Sequence, residues 1–240
     1  MEGMERARTG IKGLDEALEG GLPRPSSVLV AGSIGSKKNT FAQRILYEGL
    51  LEGEKGIYVT VDLFPEDIVE NMEKYGMSAR RFIEEGRLVF IDCFSPRVGV
   101  ESSARYLVEN PFDLDEVLRE IVVAKREFLE PGDRYRLVIS HLSTLFFSAS
   151  KELIPGFIGR LHAEARRSRG IHVMVYSEGV LNKHYECFLK SLPDVVFELS
   201  RRGSSRYLRI LRCIKTSYPL TPFRLSHDMS AATPVEGEER

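Results

Sequence analysis

Ser27-Val28-Leu29-Val30-Ala31-Gly32-Ser33-Ile34-Gly35-Ser36-Lys37-Lys38-Asn39-Thr40-Phe41 is the stretch that decides the fold. Ser27 to Ala31 is a short valine-rich apolar run, the pattern of a strand buried on both faces. From Thr40 to Leu51 the period changes, and Phe41, Ile45, Leu46 and Leu50 fall on one face of a helix. The loop between them carries two glycines and two lysines. Open α/β sheets bind ligands at the carboxyl ends of their strands. The start of a helix offers backbone N–H groups that have no partner within the helix, a setting suited to anions.

The same alternation continues outward. Gly56 to Asp62, Arg87 to Asp92, Arg136 to Ser140 and Ile171 to Tyr176 are further β-branched runs. Helical patterns separate them at Pro65 to Tyr75, Asp113 to Phe128 and Leu153 to Arg167. Alternation of this kind predicts an α/β domain with a mostly parallel sheet and helices on both faces. After Leu181 the spacing tightens. Val195 to Leu199, Arg206 to Arg212 and Phe223 to Ser226 are expected to extend the sheet as closely spaced antiparallel strands. Residues 1–228 then form one domain, and residues 229–240, polar and containing Pro234, are expected to be a disordered tail.

Composition narrows the class. The chain has 240 residues, enough for one large core. Its net charge of −1 gives no global pull toward nucleic acid or anionic membrane. Cys93, Cys187 and Cys213 are far apart and odd in number, which argues for reduced thiols and against a disulfide framework or zinc site. The charged start from Met1 to Arg8 lacks the apolar core of a signal peptide. No apolar run approaches the roughly 18 residues a membrane span needs. Cytoplasmic location is therefore expected, with no membrane partner. Gln43 is the only glutamine, a bias shared with proteins of heat-loving organisms.

A phosphate-binding loop has the form G-x-x-x-x-G-K-[ST] between a strand and a helix. With Gly32 first, Lys38 takes the lysine position, Lys37 stands at the second glycine and Asn39 at the Ser/Thr. The candidate phosphate-binding residues are thus Gly32, Gly35, Ser36, Lys37, Lys38, Asn39 and Thr40.

The segment before the loop strengthens this reading. Thr9, Gly10, Leu14, Asp15, Leu18, Gly20, Gly21 and Pro23 stand as in the "T-G-I-x-x-L-D-x-x-L-x-G-G-I-P" stretch of RecA-like ATPases of the KaiC and RadA group. The chain resembles that family to about Asp228. Leu63-Phe64-Pro65-Glu66 looks like its "E-E-x-P-E", and Thr221 to Leu225 like its closing "x-P-F-x-I". The resemblance implies a RecA-like fold and ATP hydrolysis at a subunit interface.

Four family features depart from that pattern. The loop lacks its second glycine and its magnesium-binding hydroxyl. Asp62-Leu63 replaces the carboxylate pair that polarises water. Ser140-His141 follows the fourth strand where the family has the aspartate that organises the metal's water shell. Arg212-Cys213-Ile214-Lys215-Thr216 replaces "K-M-R-G-T", the segment that reaches a neighbour's nucleotide, leaving Arg212 and Lys215 as trans-interface candidates. Phosphoryl transfer is almost entirely positioning and charge neutralisation, so these losses predict a pseudo-ATPase with Asp62 and Ser140 vestigial and no catalytic residue. ATP or another phosphate anion remains a possible ligand, Mg²⁺ is not expected, and no metal site is expected.

The expected partner is a second copy or a RecA-like paralogue, which the chain would regulate or scaffold. The alternatives are an ATPase with an atypical loop that uses Asp62 as base, and a recombination mediator binding single-stranded DNA through Arg201, Arg202, Arg206, Arg209 and Arg212. His141 is read as a polar strand end, having no His or Cys nearby in sequence. Lys37 has two placements open to it: outward, leaving an anion site of raised charge, or inward toward Asp62, filling the phosphate site; the second is expected, since two buried charges would then pair.

Overall fold

Each long helix follows a strand and returns the chain to the sheet's other end, so the strands stack side by side in one direction. The computed structural model describes residues 4–235. A two-stranded ribbon of β1 (Arg6–Ala7) and β2 (Leu22–Pro23) flanks the short α1 (Leu14–Ala17). The core elements then follow in order: β3 (Ser26–Gly32), α2 (Lys38–Leu51), β4 (Lys55–Thr60), α3 (Pro65–Lys74), α4 (Arg80–Glu84), β5 (Leu88–Asp92) and β6 (Tyr106–Leu107). They continue with α5 (Leu114–Phe128), β7 (Tyr135–Ile139), α6 (Leu142–Ser148), α7 (Ile154–Arg167), β8 (Ile171–Ser177) and α8 (Lys183–Ser191). The chain closes with β9 (Val195–Arg202), β10 (Ser205–Cys213), β11 (Phe223–Leu225) and β12 (Ala232–Pro234).

The main sheet runs β12-β11-β10-β9-β3-β8-β7-β4-β5-β6. From β9 to β6 the neighbours are parallel, and from β10 to β12 they are antiparallel. Alternate residues of each strand feed opposite cores. Val28 and Val30 join Phe41, Ile45 and Ile68 from α2 and α3. Leu29 and Ala31 join Val117, Leu145, Phe157 and Leu189 from α5 to α8. Phe41 meets Phe197 edge to face at 5.4 Å, docking α2 against β9.

Two sequence expectations change here. Val195 to Leu199 belongs to β9, which pairs in parallel with β3, so the antiparallel extension begins one strand later. The helix α8 supplies the crossover that makes this possible, and the Asn182 side chain caps it by accepting from Tyr185 N. Residues 229–235, expected to belong to the tail, are built into the fold. Met229 is buried, Ala232 to Pro234 pair with β11, and Ala232 N donates to Lys12 O at 2.8 Å. The apolar Met229 and Ala232 side chains find an N-terminal segment to pack on, a long-range contact that local polarity does not reveal. Residues 236–240 lie outside the described residues.

An ionic cluster fixes α2 to the sheet. Arg136 on β7 is fully buried and donates to Glu54 Oε2 and Oε1 at 3.1 and 3.0 Å, to Glu52 at 3.0 Å, and to the carbonyls of Ile45 and Arg8. Arg24 donates to the same Glu54 at 2.6 Å. Gly49 makes this approach possible, because a Cβ there would sit 2.3 Å from Arg136 Nε. Burial alone would raise the pKa of Glu54, but Arg136 and Arg24 together hold it below the usual range.

Candidate phosphate-binding site

The strand β3 ends under β9, and this contact shapes the loop. Ser33 N donates to Leu199 O at 3.3 Å, and a Cβ on Gly32 would lie 2.3 Å from that oxygen. Gly35 and Lys37 both take left-handed backbone angles, φ 81° and 61°. Lys37 is the N-cap of α2 and provides no side-chain cap, so the first N–H groups of the helix are left to the loop's concavity. Lys38 folds back over the loop and donates to Ser33 O at 3.3 Å. Burial pushes its pKa down, and Glu178 opposes this only from a distance. Ser36 and Thr40 are buried, and Ser36 Oγ has no partner. A cleft of about 420 Å³ opens beside the loop, and its lining includes Lys38, Asn39, Thr40, Asn71, Tyr75 and His141.

The structure brings Asn39, Asp62 and the strand end after β7 together. Asn39 Nδ2 lies 2.7 Å from His141 Nε2. His141 opens α6 in a left-handed conformation, φ 53°. Burial lowers its pKa, and Lys38 lowers it further against the opposing pull of Asp62, so the ring is neutral. Its Nδ1 faces Asp62 Oδ2 at 3.7 Å, the side where the carboxylate favours the ring proton. Nε2 is then the acceptor and the Asn39 amide the donor. Asp62 Oδ2 accepts from Thr144 Oγ1 at 2.8 Å, and Arg97 Nη2 lies 4.0 Å from Oδ1. Ser140 is buried and turned aside, donating to Val59 O at 3.1 Å.

Mg²⁺ needs near-octahedral oxygen ligands, and of Asn39, Asp62 and Ser140 the oxygens without a hydrogen-bond partner are Asn39 Oδ1 and Asp62 Oδ1. Asn39 turns an amide N–H toward His141, Ser140 faces the β4 backbone, and Asp62 is tied to Thr144. Among the described residues, no three His, Cys, Asp or Glu side chains come together to hold a metal ion.

Lys37 differs from its expected placement. Its Nζ lies 3.3 Å from both His227 O and His227 Nε2, and 4.3 Å from the centroid of the Tyr75 ring. The left-handed backbone directs the side chain to the outer rim, where an aromatic face and a carbonyl receive it, while Asp62 is engaged by Thr144. Arg212 donates to Ser191 O and so closes the last turn of α8. Lys215 is exposed in a turn, φ 55°.

Sequence reasoning did not place four contributors at the loop. His141 and Thr144 reach the site because α6 starts directly after β7. Arg201 and Arg206 are directly paired across the β9–β10 hairpin. Arg206 Nε donates to Gly35 O at 3.4 Å, and Arg201 Nη1 lies 3.2 Å from where a Cβ on Gly35 would be. Strand alternation carried that signal, but nothing local tied the hairpin to the loop.

Comparison with known proteins agrees with the geometry. The family model described as "ATPase: KaiC" matches residues 7–186. UPF0273 protein MK0039 of Methanopyrus kandleri is 35% identical over 144 residues, 60% of this chain and 56% of that protein. UPF0273 protein PF1931 of Pyrococcus furiosus is 34% identical over 146 residues, 60% of this chain and 58% of that one. The aligned part thus spans a little over half the length of these curated relatives. The circadian clock protein KaiC3 of Synechocystis is 35% identical over 59% of this chain and 28% of its own. In fold, the chain is similar to the crystal structure of the KaiC-like protein PH0186 from Pyrococcus horikoshii, with a TM-score of 0.76 at 21% identity, covering 97% of this chain and 99% of the other.

Proposed function

Because the chain belongs to the KaiC family of ATPases, we propose that it is a non-hydrolysing member, one that keeps the phosphate loop and serves as a regulatory or scaffolding partner of a RecA-like subunit. The 2.7 Å contact between Asn39 and His141 carries this reading. It spends the side chain at the magnesium-ligand position on a neighbouring ring. Asp62 accepts from Thr144 through Oδ2 and keeps Oδ1 without a hydrogen-bond partner, but Leu63 stands where the family has the second carboxylate of the pair. Both changes remove charge organisation on which phosphoryl transfer depends.

The phosphate loop itself retains what anion binding needs: a lysine, open helix N–H groups and a cleft. Calorimetric titration with ATP tests the reading. The affinity should be the same or weaker with Mg²⁺ than with excess chelator. A gain of about tenfold from Mg²⁺ would show that protein groups do organise the ion.

The partner role draws support from the exposed apolar side chains around the loop and the late strands. Ile34 at the loop's tip is 91% exposed and Leu220 is 80% exposed. No helix among the described residues is long and apolar enough to cross a membrane.

A further inference from the structure

Four cations meet at the loop without a carboxylate. Lys37 donates to His227 O, Lys38 to Ser33 O, Arg201 to Gly203 O and Arg206 to Gly35 O. None of the four forms an ion pair among the described residues. Lys38 is only 7% exposed, and a buried ammonium held by one 3.3 Å carbonyl bond is poorly compensated. Ser36 Oγ points independently to a missing ligand. The residue is fully buried, its hydroxyl has no partner, and it lies inside the loop, 3.0 Å from where a Cβ on Gly32 would sit.

We infer that the loop takes a di- or triphosphate group without a divalent cation, and that Arg201 and Arg206 of the same chain supply the positive charge a metal would otherwise bring. This deepens the reading above and rests on it. Direct pairing in the hairpin puts both arginines on one face, over Gly35. The Nε of Arg201 is held by Gly203 O at 2.8 Å, which fixes the guanidinium while leaving its outer N–H groups for a ligand. Guanidinium groups suit phosphate oxygens because two parallel N–H donors match two oxygens. With Arg201 and Arg206 on the phosphate oxygens and the Asn39 amide N–H turned to His141, a metal would gain no charged protein ligand at the magnesium-ligand position. Mg²⁺ should therefore compete with the two arginines for the same phosphate oxygens.

Calorimetry in chelator, with ATP and inorganic tripolyphosphate as separate probes, tests this. The wild-type protein should bind at least one probe, and affinity should fall as salt rises. Binding of both would place recognition in the phosphates alone; binding of ATP only would make the ligand a nucleotide. Lys38→Ala should abolish binding. Arg201→Gln with Arg206→Gln should weaken it by about tenfold or more, the usual scale for losing charge-assisted hydrogen bonds. The melting temperature should change little, since Arg201 is exposed, Arg206 is half-buried, and each side chain donates only to a backbone carbonyl. If the double variant binds as the wild type does in chelator, the arginine role falls and the loop reading stands. If binding requires Mg²⁺, or neither probe binds at all, both fall.

Discussion

Glu54 joins two buried arginines whose other carboxylate partners, Glu52 for Arg136 and Glu5 for Arg24, are more exposed. Removing one partner of such a cluster costs more than the pair itself contributes, because the remaining charge cannot regain water. Glu54→Ala should lower unfolding stability by about 3 kcal/mol or more in denaturant titration. A cost below about 1 kcal/mol would mean that water reaches Arg136. His172 gives a pH prediction. It is fully buried, and burial first, then Lys125, lowers its pKa to about 3 from 6.5. The unfolded chain therefore binds this proton at a higher pH than the folded one. Its contribution is complete above pH 6.5 and is lost as pH falls from there toward 3, with a slope of up to about 1.4 kcal/mol per pH unit. Thermal midpoints measured across that window should decline, and His172→Asn should flatten the decline. An unchanged slope in the variant would assign the loss to other groups.

At the scale of elements, the late strands behave differently from the early ones. The strands β3, β4, β5, β7 and β8 were legible because continuous apolar runs between amphipathic helices leave little choice of period, whereas the two-residue β6 was not. The direction of β9 was not, since Val195 to Leu199 has the same composition whichever way it runs. The helix α6 was hidden for a related reason: it is a short element between His141 and Ala149. The loop's location was readable from Gly32 and Lys38, but the new partners of Asn39 and Asp62 were not. Those contacts join residues 102 and 82 positions apart in the chain. The closing strand β12 carries a prediction. Met229 is fully buried, and β12 ties the N-terminal segment to β11. Met229→Ala should cost about 2–5 kcal/mol, and a chain ending at Asp228 should melt at a lower temperature. A truncated chain with the full-length melting temperature would show that the strand contributes nothing.

For the whole molecule, the account joins a preserved scaffold to altered chemistry. The sheet edge from β10 to β12 and the exposed Ile34 and Leu220 should support association with a second copy or a RecA-like subunit. Sedimentation at rising concentration should reveal it, and Ile34→Asp with Leu220→Asp should weaken it. A strict monomer in every mixture would remove the scaffolding role while leaving the chemistry of the loop untouched. That chemistry is tested most directly by phosphate release from ATP with Mg²⁺ present, wild type against Lys38→Ala in matched preparations. The account predicts that the two proteins give the same background rate. Wild-type turnover of about one per minute or faster, abolished by Lys38→Ala, would contradict it, because that rate requires a transition-state charge stabilisation that the proposed reading denies to Asn39, Asp62 and Ser140.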